Sequence, residues 1–156
     1  MSVNTVAVLG AGTMGHGIAH AAMTAGYGTV MYDISDAAVN KGRGAIDAVI
    51  AKGVELGKVS AEEASALRSR LRVTTSVADA VRAADIVIEA APEKIDLKLA
   101  LFKAVEAAAP AHAVIASNTS ALSITEMAAV LANPGRMGGD RKSTRLNSSH
   151  VSESRM

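Results

Sequence analysis

The glycine-rich segment Gly10–Gly15, which reads GAGTMG, is the feature that most constrains this chain. Before it, Val3–Leu9 is a short apolar run rich in β-branched residues, which predicts a strand buried on both faces. After it, apolar residues recur between Ile18 and Met23 at the spacing of one helix face. A lone G-x-G-x-x-G pattern is weak evidence. A strand before it and a helix after it, however, are the context in which such a loop binds a dinucleotide.

Each glycine has a physical role in such a loop. Gly10 permits the tight turn, Gly12 lets a pyrophosphate approach the backbone, and Gly15 lets the helix pack closely on the strand. The helix start offers unpaired N–H groups and a partial positive charge to the phosphates. The predicted cofactor-binding residues of the loop are therefore Gly10, Ala11, Gly12, Thr13, Met14 and Gly15. The alternative, a glycine turn without a ligand, is less favoured by this context.

An acidic residue follows the second predicted strand. Thr29–Tyr32 is the strand, and Asp33 closes it. The carboxylate would accept hydrogen bonds from the adenosine ribose hydroxyls and would repel a ribose phosphate. No arginine follows Asp33 immediately. The sequence therefore predicts NAD rather than NADP as the cofactor.

Strand and helix patterns alternate along the rest of the chain, which predicts an α/β fold of the Rossmann type with a doubly wound, mainly parallel sheet. Such sheets bind ligands beyond the carboxyl ends of their strands. We expect the sheet to be incomplete at its C-terminal side, with Ala113–Ser117 as an exposed edge strand. The further predicted elements are a helix over 36–52, a capping box at Ser60–Glu63, strands at Arg72–Thr75 and Ile86–Ala91, a helix at Lys94–Ala109, a capping box at Ser123–Glu126 and a turn at Asn133–Gly135.

Two other polar groups fall at strand ends. Glu93 is explained equally well as an acid at a helix start or as a contact to the nicotinamide ribose. Ser117–Ser120 follows a buried strand and is either a polar loop or part of a substrate site. Lys52 and Lys58, placed on the linker before the Ser60 helix, are expected to be solvated. Contact with the phosphates of a bulky substrate is the minority alternative.

Composition and charge exclude several classes of function. A net charge of +1 gives no global field to attract nucleic acid or an anionic membrane. The chain has no cysteine, which excludes thiol catalysis. His16 and His20 could share a helix face without supplying a full metal site, and His112 has no evident carboxylate partner. No signal-peptide pattern is found, so a cytoplasmic location is expected.

Taken together, these residues resemble the 3-hydroxyacyl-CoA dehydrogenase family, which includes 3-hydroxybutyryl-CoA dehydrogenases. The resemblance extends from about Val3 to Gly139 and is far more specific than the glycine loop alone. The matching pieces are Val8–Gly15, Tyr32 and Asp33, Val87–Ala90 with Glu93, Leu101 and Phe102, and Ser117–Ser120.

The resemblance implies a function in fatty acid metabolism. The family oxidises the β-hydroxyl of an acyl-CoA to a ketone and transfers the hydride to NAD. By this resemblance Glu93 and Lys98 contact the cofactor, Asn118 lies beside the nicotinamide, and Ser120 hydrogen-bonds the reacting oxygen. The resemblance also implies a homodimeric full-length protein.

The chain departs from the family pattern after Gly139. The family continues into a His-Phe-Phe-Asn-Pro segment, whose histidine is the catalytic base, and into a helical second domain. Here Asp140–Met156 follows instead, rich in serine and arginine. A disordered basic tail is one interpretation. The other is a non-native tail, because Asp140–His150 and Ser154–Met156 match the translation of a common sequencing-adapter oligonucleotide.

These observations divide the chain into an NAD-binding Rossmann domain over 1–139 and a tail over 140–156. The chain is expected to be inactive alone, as the nucleotide-binding portion of a dehydrogenase. Two alternatives stay open: a non-catalytic NAD-binding module, and another Rossmann dehydrogenase of the β-hydroxyacid type.

Overall fold

The computed structural model describes residues 2–118 and 128–138 of the chain. Strands and helices alternate through most of this range, as the sequence pattern predicts. The strands are β1 (Thr5–Leu9), β2 (Gly28–Tyr32), β3 (Leu71–Thr74), β4 (Ile86–Glu89), β5 (Val114–Ser117) and β6 (Met137–Gly138). The helices are α1 (Thr13–Thr24), α2 (Asp36–Glu55), α3 (Ala61–Ser69), α4 (Val77–Val81) and α5 (Ile95–Ala108), and a short 3₁₀ helix spans Pro134–Arg136.

The six strands form one sheet in the order β3-β2-β1-β4-β5-β6, and each neighbouring pair is parallel. This is the strand order of the doubly wound dinucleotide-binding fold, whose direction of winding reverses beside β1. Leu9 pairs with Tyr32 on one side and with Glu89 on the other. The register therefore brings the segments that follow β1, β2 and β4 to one edge of the sheet.

Both faces of the central strand are buried. Val6 and Val8 point into a core beneath α1, α2 and α3, whereas Ala7 and Leu9 point into a second core beneath α4 and α5. A strand covered on both faces reads as a continuous apolar run, which is the pattern that the sequence shows here. The prediction of a doubly buried first strand is confirmed.

Serine side chains cap three of the helices. Ser35, Ser60 and Ser76 each accept a hydrogen bond from the backbone N–H three residues further on. Each bond satisfies one of the N–H groups that a helix start leaves unpaired. The capping position predicted at Ser60 is confirmed, with Glu63 as the donor residue at 3.0 Å.

The carboxyl side of the sheet differs from expectation. The strand predicted at Ala113–Ser117 is not an edge strand, because β6 pairs with it through Ile115 and Met137 and through Ala116 and Gly138. Glu106 of α5 holds the chain that leads into β6 by accepting the N–H groups of Ala132 and Asn133 at 2.7 and 2.9 Å. These two hydrogen bonds lower the pKa of the Glu106 carboxyl. Local propensity gave no signal for so short a strand.

Smaller differences concern short elements. Helix α4 was not predicted, and the predicted turn at Asn133–Gly135 is the start of a short 3₁₀ helix. The second predicted capping box, Ser123–Glu126, and the tail at 140–156 lie outside the described residues. Within the described ranges no helix is both long and apolar enough to cross a bilayer.

At the amino ends of the strands, Asp85 joins three separate parts of the chain. One carboxylate oxygen accepts the N–H groups of Asn4 and Thr5 at 2.8 and 3.0 Å. The other lies 2.8 Å from His112 Nε2, so this histidine does have a carboxylate partner, contrary to the expectation from sequence. The hydrogen bond from Asn4 is the largest cause that lowers the pKa of Asp85 to about 2, followed by the His112 and Thr5 bonds.

These bonds make stability depend on pH in a defined direction. The pKa of Asp85 is about 2 when folded, below its ordinary value of 3.8. The ionised carboxylate therefore stabilises the fold fully above about pH 4, and that contribution is lost as pH falls toward about 2. We expect Asp85→Asn to lower the urea midpoint at about pH 6, and to lower it much less at about pH 2.5.

Asp47→Asn is the matched control, since Asp47 forms an exposed ion pair with Arg68 at 3.4 Å. Exposed pairs of this kind contribute little to stability. An equal loss for both variants, or a loss for Asp85→Asn that does not change with pH, would contradict the assignment.

Candidate cofactor-binding site

The turn between β1 and α1 has no room for side chains at two of its glycines. Gly10 has a φ of +117°, and a Cβ there would lie 2.6 Å from the carbonyl oxygen of Ala90. A Cβ on Gly15 would lie 1.8 Å from the carbonyl oxygen of Gly10. Gly12 differs, because a Cβ there would meet nothing within 4 Å. The first and last glycines thus close the turn, and Gly12 leaves its outer side open.

Helix α1 begins beneath this open side with Gly12 as its N-cap residue. No side chain of the described residues caps this end and no acidic residue lies in its first turn, in contrast to the serine-capped α2, α3 and α4. The helix dipole and the first N–H groups therefore face the crevice, which favours an anion such as a phosphate. Thr13 and Met14, predicted loop residues, are exposed at this end.

Asp33 is joined to the glycine loop. Its Oδ2 accepts the N–H of Ala11 at 2.9 Å, and its Oδ1 accepts the N–H of Ile34 at 2.7 Å. A carboxylate oxygen can accept more than one hydrogen bond, so both oxygens keep capacity for ribose hydroxyls. Asp33 therefore fixes the loop as well as offering a negative charge to one end of the crevice.

A fourth glycine, missed in the sequence analysis, supports the loop from behind. Gly42 lies inside α2, where a glycine is unfavourable for a helix. A Cβ at Gly42 would lie 2.7 Å from the carbonyl oxygen of Ala11 and 2.9 Å from its Cβ. The absent side chain lets α2 pack directly on the loop. A glycine inside an otherwise helical pattern is the signal that could have indicated this close contact.

On the other side of the loop, the crevice continues across the ends of β4 and β5. Its volume is about 410 Å³, within the usual range for small-molecule sites. Asn118 lies here at the end of β5, and its N–H donates to the carbonyl oxygen of Glu89 at 2.8 Å. The lining residues include Gly10, Gly12, Thr13, Met14, Asp33, Ala90, Ala91, Pro92, Glu93 and Asn118. The structure thus brings the predicted loop, Asp33, Glu93 and Asn118 together.

Lys98 lies beneath this part of the crevice. Its side chain is 0% exposed, and its Nζ lies 2.8 Å from Glu93 Oε1 and 3.2 Å from Glu89 Oε2. Glu93 is 46% exposed and lines the crevice. The buried ammonium of Lys98 is therefore linked to the crevice surface by its ion pair with Glu93.

Two other predicted residues, Lys52 and Lys58, are not brought to the crevice, and a third lies outside the described residues. Lys52 lies in the last turn of α2, not in a linker, and pairs with Glu55 at 3.6 Å on the surface. Lys58 lines a separate groove between α1, α2 and α3, together with His20. Ser120 lies outside the described residues. Whether these three side chains contact a substrate stays a prediction.

Comparison with known proteins agrees with this geometry. Residues 5–140 match the family model described as "3-hydroxyacyl-CoA dehydrogenase, NAD binding domain". The chain belongs to this family. The cofactor of this domain is therefore NAD, and the uncapped α1 start and the open side of Gly12 fit its pyrophosphate.

Several relatives of the NAD-binding domain are similar over most of this chain. It is 41% identical to 3-hydroxyadipyl-CoA dehydrogenase of Escherichia coli (strain K12), covering 89% of this chain and 29% of that protein. It is 40% identical to L-carnitine dehydrogenase of Nocardiopsis dassonvillei, in a match that covers 87% of this chain and 40% of that protein. The crystal structure of (S)-3-hydroxybutyryl-CoA dehydrogenase from Ralstonia eutropha superimposes with a TM-score of 0.84 at 41% identity, covering 88% and 48%. The chain thus spans less than half the length of these relatives.

Gly42 and Gly44 provide a test of the loop contact in the NAD-binding domain. Both lie inside α2, but a Cβ on Gly44 would meet nothing within 4 Å. Gly44→Ala should stabilise the domain by about 0.5–1 kcal/mol through helix propensity alone. Gly42→Ala should destabilise it by about 1–3 kcal/mol, because the backbone of Ala11 cannot move without displacing the loop.

Urea unfolding of the two variants and the parent chain would measure both effects. Since both substitutions make the same helical gain, the difference between them isolates the contact with Ala11. Equal stabilisation by both would show that α2 does not press on the loop.

Proposed function

We propose that this chain is the nucleotide-binding portion of an enzyme that oxidises 3-hydroxyacyl-CoA to 3-oxoacyl-CoA. The observation that carries the proposal is the continuous crevice over the uncapped start of α1, with Asp33 on one side and Glu93 and Asn118 on the other. Its family membership supports the same assignment. The reaction removes a hydride and a proton from a secondary alcohol, and bound NAD supplies the hydride acceptor.

The direction of the cofactor follows from the charges and the strand order. Asp33 would hold the adenosine ribose, and the N–H groups at Gly12–Met14 would hold the pyrophosphate. The nicotinamide half would then lie over the ends of β4 and β5, beside Glu93 and Asn118. Lys98 takes part by holding Glu93 through its buried ammonium.

The substrate end of the proposal goes beyond the described residues. Ser120 would hydrogen-bond the reacting oxygen, and Lys52 and Lys58 would meet the phosphates of coenzyme A. The NAD-binding domain is assigned to 1–139 and the tail at 140–156 is taken as non-native. A homodimeric full-length protein and a cytoplasmic location are parts of the same proposal.

One alternative substrate class has a specific observation in its favour. L-carnitine dehydrogenase is 40% identical to this chain, nearly as similar as the relative named for a CoA thioester. The nucleotide-binding portion therefore does not separate a CoA thioester from a free hydroxy acid. A substrate panel on a completed enzyme would do so. The second alternative, a non-catalytic NAD-binding module, predicts that the completed protein also binds NAD without turnover.

Cofactor binding is tested by a methyl group placed in the crevice. Gly12→Ala should fold, because a Cβ there meets nothing within 4 Å, yet its methyl group would occupy space that the pyrophosphate needs. We expect NADH affinity, measured by fluorescence titration, to fall about tenfold or more. Gly17→Ala in the same helix is the control, since a Cβ there also meets nothing within 4 Å. Unchanged NADH fluorescence on titration of the parent chain would refute cofactor binding.

Turnover is tested with 3-hydroxybutyryl-CoA and NAD. We expect no NADH production from this chain, because its sequence contains no His-Phe-Phe-Asn-Pro segment to supply a catalytic base. The control joins residues 1–138 to the remaining carboxyl-terminal part of the Escherichia coli relative, which should restore absorbance of NADH. Activity of the unextended chain would contradict the proposal, as would inactivity of a folded, NAD-binding fusion.

A further inference from the structure

Glu89 is a fully buried carboxylate at the end of β4, and no function is predicted for it from the sequence. Its Oε1 accepts the N–H of Ala91 at 2.6 Å. Its Oε2 accepts the hydroxyl of Ser117 at 2.5 Å and the ammonium of Lys98 at 3.2 Å. One side chain thus binds the loop after β4, the helix α5 and the end of β5.

The network is complete as a hydrogen-bonded unit. Among the described residues no buried side-chain nitrogen or oxygen lacks a partner, so the network leaves no orphaned group there. A buried ion pair of this kind is weak evidence for stability, because a well-packed apolar pair is often as stable. Charged groups with directional hydrogen bonds fix the relative geometry of the segments that carry them, which apolar contacts do not.

Two of the segments that Glu89 binds, the loop after β4 and the end of β5, lead to residues that line the crevice. The loop Ala90–Glu93 follows β4, and Lys98 carries the link from Glu89 on to the Glu93 carboxylate at 2.8 Å. Ser117 is the residue before Asn118, whose own N–H donates to the Glu89 carbonyl oxygen. The side chain and the backbone of Glu89 therefore hold the two polar residues at this end of the crevice.

The opposite end of the crevice is held by a different set of contacts. Asp33, Ala11 and the α1 start are joined to one another, and within the described part of the chain no side-chain hydrogen bond of Glu89 extends to them. The adenosine and nicotinamide halves of the cofactor would thus be positioned by two separate networks.

We propose that Glu89 and Ser117 are positioning residues for the nicotinamide half of the cofactor, acting through Glu93 and Asn118. This rests on the cofactor orientation in the proposed function. Disturbing the Glu89 network should weaken binding of the whole dinucleotide and leave binding of its adenosine diphosphate half unchanged. A purely structural role predicts that both affinities change together or that neither does.

The test compares NADH with ADP on the parent chain and two variants. Ser117→Ala removes one hydrogen bond from Glu89 and retains the ion pairs, so it is the variant certain to keep the buried charges balanced. The double variant Glu89→Gln with Lys98→Met removes both buried charges at once and avoids leaving a single charge unpaired. Lys103→Met, at an exposed position of α5, is the control for a lysine lost from the same helix.

Calorimetric titration gives both dissociation constants, and thermal melting reports folding. We expect the NADH dissociation constant to rise about threefold for Ser117→Ala and about tenfold or more for the double variant. The ADP constant should stay within about twofold for every variant, and Lys103→Met should match the parent.

Two results would overturn the inference alone: parent-like NADH affinity in the folded variants, or equal weakening of NADH and ADP. If the double variant does not fold, Ser117→Ala decides between these outcomes. Failure of the parent chain to bind NADH is a different result, which refutes the proposed function itself.

Discussion

The close contact between Gly15 and the carbonyl of Gly10 is the constraint on which the rest of the site depends. A Cβ at Gly15 would overlap that carbonyl oxygen, at 1.8 Å, so the helix can begin where it does only because the side chain is absent. This contact sets the direction of α1 relative to β1. The direction of α1 in turn aims its uncapped N–H groups at the crevice.

The two neighbouring strands complete the crevice through their register with β1. Tyr32 and Glu89 are both paired with Leu9, so Asp33 and Ala90 follow their strands at the same level as Gly10. Asp33 then accepts the N–H of Ala11, and Ala90 lies against Gly10. The glycine loop therefore lies between the segment after β2 and the segment after β4, which form the two ends of the site.

Local patterns predicted the elements whose signals are short-range. The apolar run of β1, the glycine loop and the Ser60 cap each follow from neighbouring residues. The prediction succeeded there because strand burial and helix capping are local properties. Asp33 was placed at the cofactor site by its position after β2, although its hydrogen bond to Ala11 was not foreseen.

The contacts that were missed join residues far apart in the chain. Gly42 meets Ala11 only after α2 folds over the loop, and Glu89 meets Ser117 only once β4 and β5 pair. One signal was present in the sequence: Lys98 lies at the spacing of the buried positions Leu101 and Val105 on α5. A lysine on the apolar face of a helix indicates a buried acidic partner. Strand β6 had no such signal, because its two residues are held by tertiary contacts.

Glu106 binds the returning chain at Ala132 and Asn133, and Arg136, just before β6, donates to the carbonyl oxygens of Ala113 and Pro110. Strand β6 adds only two residues of pairing to β5, whereas β1 is paired along its length on both sides. Amide protons of β6 should therefore exchange with solvent long before those of β1, because β6 can unfold locally at a lower free energy than the central strands. Such local unfolding would expose β5 to solvent and leave the glycine loop in place. Unfolding of β6 and loss of the nucleotide are therefore separable events.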